Sequence, residues 1–119
     1  SHIDIFASLG ALCGGEIPEG AAPDSRNHLS ALLGGGPDRE YVVEQNLNNT
    51  LSIIVDGWKY IEPSNKMRIN RQTDTELGND PMRKLYNLRE DVGERHNLAG
   101  RYPAKADSLH NKLENIKRR

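Results

Sequence analysis

The sequence holds one cysteine, one tryptophan and one phenylalanine in 119 residues, and aromatic side chains make up only 5% of it. A lone cysteine, Cys13, excludes an internal disulfide and leaves the redox compartment open. No apolar run approaches the ~20 residues that span a bilayer, and no signal peptide is visible. Neither sign of charge prevails: 16 Lys and Arg stand against 17 Asp and Glu, for a net charge of -1. The only basic run, Lys117-Arg118-Arg119, is explained by a solvated helix end, so nothing marks a nucleic-acid binder. The four histidines are scattered, without the close spacing a metal-ligand set needs. The chain opens Ser1-His2-Ile3 without Met, which points to a piece processed or cut from something longer. Its lack of a targeting signal is then uninformative about a parent protein.

What is present suffices for one domain with a small core. The apolar fraction is 35% and the charged fraction 28%. Such a chain is either a piece that leans on a partner surface or a small domain with long polar loops. Most of its β-branched and aromatic residues fall between Arg39 and Pro63. Turn residues cut this stretch at Asn48-Asn49 and at Asp56-Gly57, and Asp-Gly between apolar runs is a strong hairpin signal. Three antiparallel strands are predicted, roughly Tyr41 to Leu47, Thr50 to Val55 and Trp58 to Glu62. Lys84 to Leu88 supplies a fourth. Apolar residues fall on both faces of this sheet. Trp58 and Tyr60 share one face, where packing is the simpler role and a sugar-stacking platform the sharper one.

Ahead of the sheet, Ile3, Ile5, Phe6, Leu9, Leu12 and Cys13 recur at spacings of three and four and form the apolar face of a helix that Gly14-Gly15 ends. Ser1 or Asp4 is placed to cap it, and Cys13 reads as a small core residue. Glu16 to Asn27 is a loop, and His28 to Leu33 gives one or two helical turns. Ser64 to Pro81 is polar and aperiodic, a surface excursion with Met67, Ile69 and Leu77 as isolated anchors. At the other end, Tyr102-Pro103 opens a helix in which Ala106, Leu109, Leu113 and Ile116 form one apolar face turned onto the sheet. No Gly-rich phosphate loop, nucleophile elbow or paired metal-ligand motif is present. Asn48-Asn49-Thr50 matches a glycosylation sequon, but a turn explains it equally well.

Four stretches resemble the C-terminal portion of formylglycine-dependent sulfatases, within the alkaline-phosphatase-like superfamily. They are Ser1-His2-Ile3-Asp4-Ile5-Phe6-Ala7-Ser8-Leu9; Ala22-Pro23-Asp24-Ser25 with Leu32-Leu33-Gly34; Arg39-Glu40 through Gly57-Trp58-Lys59-Tyr60-Ile61; and Leu85-Tyr86-Asn87-Leu88 with Asp91, Glu94, Asn97-Leu98-Ala99 and Tyr102-Pro103. They cover nearly the whole chain in order. The family's nucleophile lies in a Cys/Ser-x-Pro-x-Arg motif. Cys13 is followed by Gly14-Gly15 and is not in one; Asn79-Asp80-Pro81-Met82-Arg83 has the proline and arginine but asparagine in the nucleophile's place.

The resemblance implies an α+β fold: a four-stranded antiparallel sheet packed against a long C-terminal helix, with an N-terminal helix at the join to a catalytic domain. It divides the chain into residues 1-36, helix and connecting loop, and 37-119, the sheet and helix subdomain. It implies a bacterial parent enzyme that hydrolyses aryl sulfates or sulfated glycans, periplasmic or extracellular, with calcium and a formylglycine contributed upstream. The partner expected for this chain is the N-terminal catalytic domain, together with sulfated carbohydrate. No catalytic or metal-ligating residue is carried over, and the piece alone is expected to be inactive. Its expected contribution is at the substrate rim: Glu44, Gln45 and Asn46 at the end of the first strand to bond a sugar hydroxyl, and Arg68 and Arg71 on the long loop to meet an anionic group. Ordinary surface polarity is the plainer account of all five. A free-standing glycan- or protein-binding module of the same fold is the alternative.

Overall fold

A computed structural model of the chain describes residues 1–37 and 39–118. The chain divides into two compact units, Ser1–Glu40 and Tyr41–Arg119.

In the first unit a 3-10 turn, His2–Asp4, runs into helix α1, Ile5–Leu12, and a single helical turn, α2, spans Leu29–Leu32. Gly14 leaves α1 with a φ of 68°, a left-handed C-terminal exit that glycine makes without steric cost. The face of α1 that is buried is not the apolar one. Asp4, Ala7 and Ser8 are buried, whereas Ile3, Ile5, Phe6, Leu9 and Leu12 are exposed. The free N–H groups of the first helical turn and the loop after it explain this choice. Ala7 N–H donates to Ser25 Oγ at 3.0 Å, and His28 N–H donates to Ser8 Oγ at 2.9 Å. Asp4 makes no capping bond to its own helix. Its carboxylate instead accepts Arg26 N–H at 2.9 Å and two bonds from the Arg39 guanidinium at 2.5 and 2.7 Å. Cys13, expected in a core, lies exposed beyond the end of the helix; the inward stripe of α1 is the polar one, so the cysteine's side of the helix faces out.

The second unit is the expected α+β body. Four strands, β1 Val42–Gln45, β2 Leu51–Val55, β3 Trp58–Ile61 and β6 Lys84–Asn87, form an antiparallel sheet in the order β1-β2-β3-β6. The register aligns Val43, Ile53, Tyr60 and Leu85 across one face. Helix α3, Pro103–Lys117, covers that face. Its Ala106, Leu109 and Leu113 join Ile53, Tyr60, Leu85 and Ala99 in the core, with Val43, Leu51, Val55, Trp58 and Ile116 packed around them. Pro103 sits in the first turn of α3, where no N–H is needed. Trp58 lies on this covered face, edge-on to Tyr102 with ring centroids 5.5 Å apart. Tyr60 is 1% exposed and its hydroxyl lies 3.3 Å from His110 Nδ1. Both rings therefore pack under α3, which is the simpler of the two roles considered.

Asp56 and Gly57 take φ values of 49° and 77°, the paired positive angles of the predicted two-residue hairpin. The first hairpin loop differs from expectation. β1 stops at Gln45 rather than Leu47, because Asn46 Oδ1 captures the N–H groups of Asn48 and Thr50 at 2.9 and 3.0 Å and folds the backbone out of the ladder. The excursion from Ser64 to Pro81 also has more order than its sequence shows. It holds a second, two-stranded hairpin of β4, Ile69–Asn70, and β5, Thr75–Glu76.

Candidate functional site

The expected rim residues lie at two places in the second unit, and the structure ties the two together. Glu44 is on the face of the sheet away from α3. Its carboxylate sits 3.2 Å from Lys59 Nζ and accepts a long bond from Ser52 Oγ at 3.4 Å. Lys59 also bonds Glu94 Oε1 at 2.8 Å. Burial alone would lower the Lys59 pKa, but the carboxylates of Glu94 and Glu44 outweigh it and hold the ammonium charged. Gln45 points to the opposite side and donates from Nε2 to Asn49 Oδ1 at 2.7 Å. Glu44 and Gln45 are exposed at the strand end.

Asn46 has the most partners of the three. Besides the turn bonds of its oxygen, its Nδ2 donates to the Leu77 carbonyl at 2.7 Å and to Asn79 Oδ1 at 2.8 Å. It thereby joins the strand end to the excursion that carries Arg68 and Arg71. Arg68 stands just before β4, and its backbone carbonyl accepts Leu77 N–H at 2.8 Å to close the base of the small hairpin. Arg71 is the first residue after β4, in the hairpin turn. Both side chains are exposed, and neither forms an ion pair among the described residues. Arg68 lines an open concavity with Ile69, Asp74 and Glu76.

Sequence reasoning missed Asn79. It is 1% exposed, and its Nδ2 donates to the Met67 carbonyl at 2.6 Å and to Asn48 Oδ1 at 3.2 Å. Its resemblance to a displaced nucleophile position has no chemical content, since every polar atom of its side chain is engaged in holding the loop. Arg83 of the same segment is paired with Asp107 of α3. No sequence period links Asn46 to Asn79; only their separate positions at a strand end and before a proline mark them as turn formers.

A sulfatase nucleophile and its calcium would need a modified Cys or Ser in its motif and a cluster of carboxylates. The residues here do not fit either group. Among the described residues no three His, Cys, Asp or Glu side chains gather closely enough to hold a metal ion, and Cys13 lacks the motif. The arrangement offers hydrogen-bonding and cationic groups around the strand end.

In sequence and in fold, from the sheet order to the helix across one face, the chain matches the C-terminal part of a sulfatase. The chain is 51% identical over 120 residues to the N-acetylgalactosamine-6-O-sulfatase of Bacteroides thetaiotaomicron, a match that takes in all of this chain. It spans 24% of that relative's length. A solved Bacteroides thetaiotaomicron structure, described for the metabolism of multiple glycosaminoglycans, superposes with a TM-score of 0.90 at 50% identity, covering 98% of this chain and 24% of that one. The solved structure of a 2-O glycosaminoglycan sulfatase shares the fold at a TM-score of 0.61 and 21% identity, over 95% of this chain and 23% of its own. No family model matches the chain.

Proposed function

We propose that this chain is the substrate-rim subdomain of a bacterial enzyme that removes sulfate from a glycan, with 6-O-sulfated N-acetylgalactosamine as the substrate unit. The single observation that carries the reading is 51% identity across the whole chain to an N-acetylgalactosamine-6-O-sulfatase. In this reading residues 1-36 belong to the join with the catalytic domain, and 37-119 form the subdomain that borders the pocket. The parent is periplasmic or extracellular. Its calcium and formylglycine lie upstream, and the chemistry of ester cleavage belongs to them.

The contribution of this chain is recognition. A sulfated glycan is a polyanion whose tetrahedral sulfate esters and planar carboxylates each present neighbouring oxygens. A guanidinium can meet two of these oxygens at once, with charge-assisted bonds roughly twice as strong as neutral ones. Arg68 and Arg71, exposed and without an ion-pair partner among the described residues, are suited to that task. Glu44 and Gln45 can accept from or donate to sugar hydroxyls at the strand end, and Asn46 keeps the strand end and the arginine-bearing loop in fixed relation.

The test is sulfate release from a chondroitin 6-sulfate oligosaccharide by the full polypeptide, its Arg68→Ala/Arg71→Ala variant, and the chain alone. The full polypeptide turns over and the chain alone does not. Loss of two charge-assisted contacts raises KM by about a hundredfold or more, with kcat changed far less. An unchanged KM removes the arginines from the rim, and sulfate release by the chain alone overturns the reading.

A further inference from the structure

The small hairpin β4–β5 is held at its base by asparagine side chains rather than by a hydrophobic core. Four bonds converge there. Asn79 Nδ2 donates to the carbonyl of Met67, which enters the hairpin, and Asn46 Nδ2 donates to the carbonyl of Leu77, which leaves it. Asn46 Nδ2 and Asn79 Oδ1 bond each other at 2.8 Å. Leu77 N–H closes onto the Arg68 carbonyl at 2.8 Å. Outside the base, Lys66 Nζ donates to the Asn48 carbonyl at 2.5 Å and Ser64 N–H to the Asp80 carbonyl at 2.7 Å, while Met67 and Ile69 are exposed, at 53% and 48%. Asn79 is fully buried, although the hairpin it supports is on the surface. A two-stranded hairpin is marginal in water by itself, so its direction here must come from its base.

We propose that Asn79 is a positioning residue for glycan recognition, which locks both feet of the β4–β5 hairpin to the end of β1 and so sets where Arg68 and Arg71 meet the anionic groups of a sulfated sugar chain. This rests on the rim reading above and adds a residue that touches no substrate. An asparagine suits the position because it offers two donors and an acceptor in one plane. Asn79 uses both, toward Met67 and Asn48 on one side and Asn46 on the other. A carboxylate at 79 could still accept from Asn46 but could not donate to Met67, so Asn79→Asp frees one foot of the hairpin. Asn48→Ala removes only the 3.2 Å acceptor and is the milder change.

The test uses the full polypeptide and a chondroitin 6-sulfate oligosaccharide. The variants are Asn79→Asp, Asn48→Ala, Arg68→Ala/Arg71→Ala, and the arginine pair combined with Asn79→Asp. Thermal melting of each selects folded protein, and amide exchange at Leu77 reads the base of the hairpin. Asn79→Asp is expected to speed Leu77 exchange and to raise KM by about tenfold, the worth of a charge-assisted contact, with most of the loss in KM rather than kcat. Asn48→Ala shifts both in the same direction by less. In the arginine-less background Asn79→Asp adds little further loss, because it acts through the arginines. Additive losses would overturn the proposal and make Asn79 merely structural, as would faster Leu77 exchange with KM unchanged. If the arginine pair itself leaves KM unchanged, the rim reading fails first, and this inference with it. If the Asn79 variant does not fold, Asn48→Ala decides by the same two readouts.

Discussion

Replacing Leu113 by alanine tests how the second unit is held together. Leu113 is fully buried, on the face of α3 that meets Ile53, Tyr60 and Leu85. Truncation removes three side-chain carbons from a close-packed site and leaves a cavity, a change that costs roughly 2–5 kcal/mol, here taken as ~3. A unit of roughly 80 residues has a total stability of only ~4–12 kcal/mol. At roughly 4–8 °C per kcal/mol for a body of this size, the melting temperature falls by about 12–24 °C. Trp58 is the sole tryptophan, and it packs against Tyr102 at the start of α3. Its fluorescence therefore reports the melting of the sheet and helix directly. The control is Leu12→Ala on α1, a residue 58% exposed, where the shift should stay within about 0.5 kcal/mol. A cost under about 1 kcal/mol for Leu113→Ala, or a Leu12→Ala shift of the Trp58 transition as large as that of Leu113→Ala, would show that burial under α3 does not hold the sheet.

Gly57→Ala should destabilise the chain by about 1–2 kcal/mol, because a φ of 77° is costly for a residue with a Cβ. The Arg89 side chain, 2.9 Å from the added carbon, is flexible and can move, so a melting curve reads the backbone term. The hydroxyl of Tyr86 is pushed up to about 12, first by burial and then by the carboxylates of Glu94, Glu76, Asp80 and Asp91. Its folded pKa lies above the unfolded value near ~10, so its stabilising contribution is complete below ~10 and lost as pH rises towards 12. Tyr86→Phe should flatten that alkaline fall in denaturant titrations.

The parts of the fold with a strong local cause were legible in the sequence. Ala106, Leu109 and Leu113 recur at helical spacing and are buried together, and Asp56-Gly57 demands one kind of turn. α1 was legible as a helix but not in its orientation. Its apolar period names a face, whereas the buried face is set by Asp4 and Ser8 bonding residues 20 or more positions away. The small hairpin was hidden for a similar reason. Ile69-Asn70 and Thr75-Glu76 are too short to show a period, and their support comes from Asn46 and Asn79, 33 residues apart. Likewise, Glu44, Gln45 and Asn46 could be placed at a strand end from the sequence, while the hydrogen bonds that divide their roles depend on tertiary contacts with Lys59, Asn49 and Leu77.

We propose that this chain completes a sulfatase whose reacting groups are encoded ahead of Ser1. It is tested most directly by reading the coding sequence upstream of Ser1. An open frame that encodes a Cys/Ser-x-Pro-x-Arg motif preceded by paired acidic residues is the expected result. A start codon immediately before Ser1 would contradict it, and would leave binding of glycan or protein as the work of the fold.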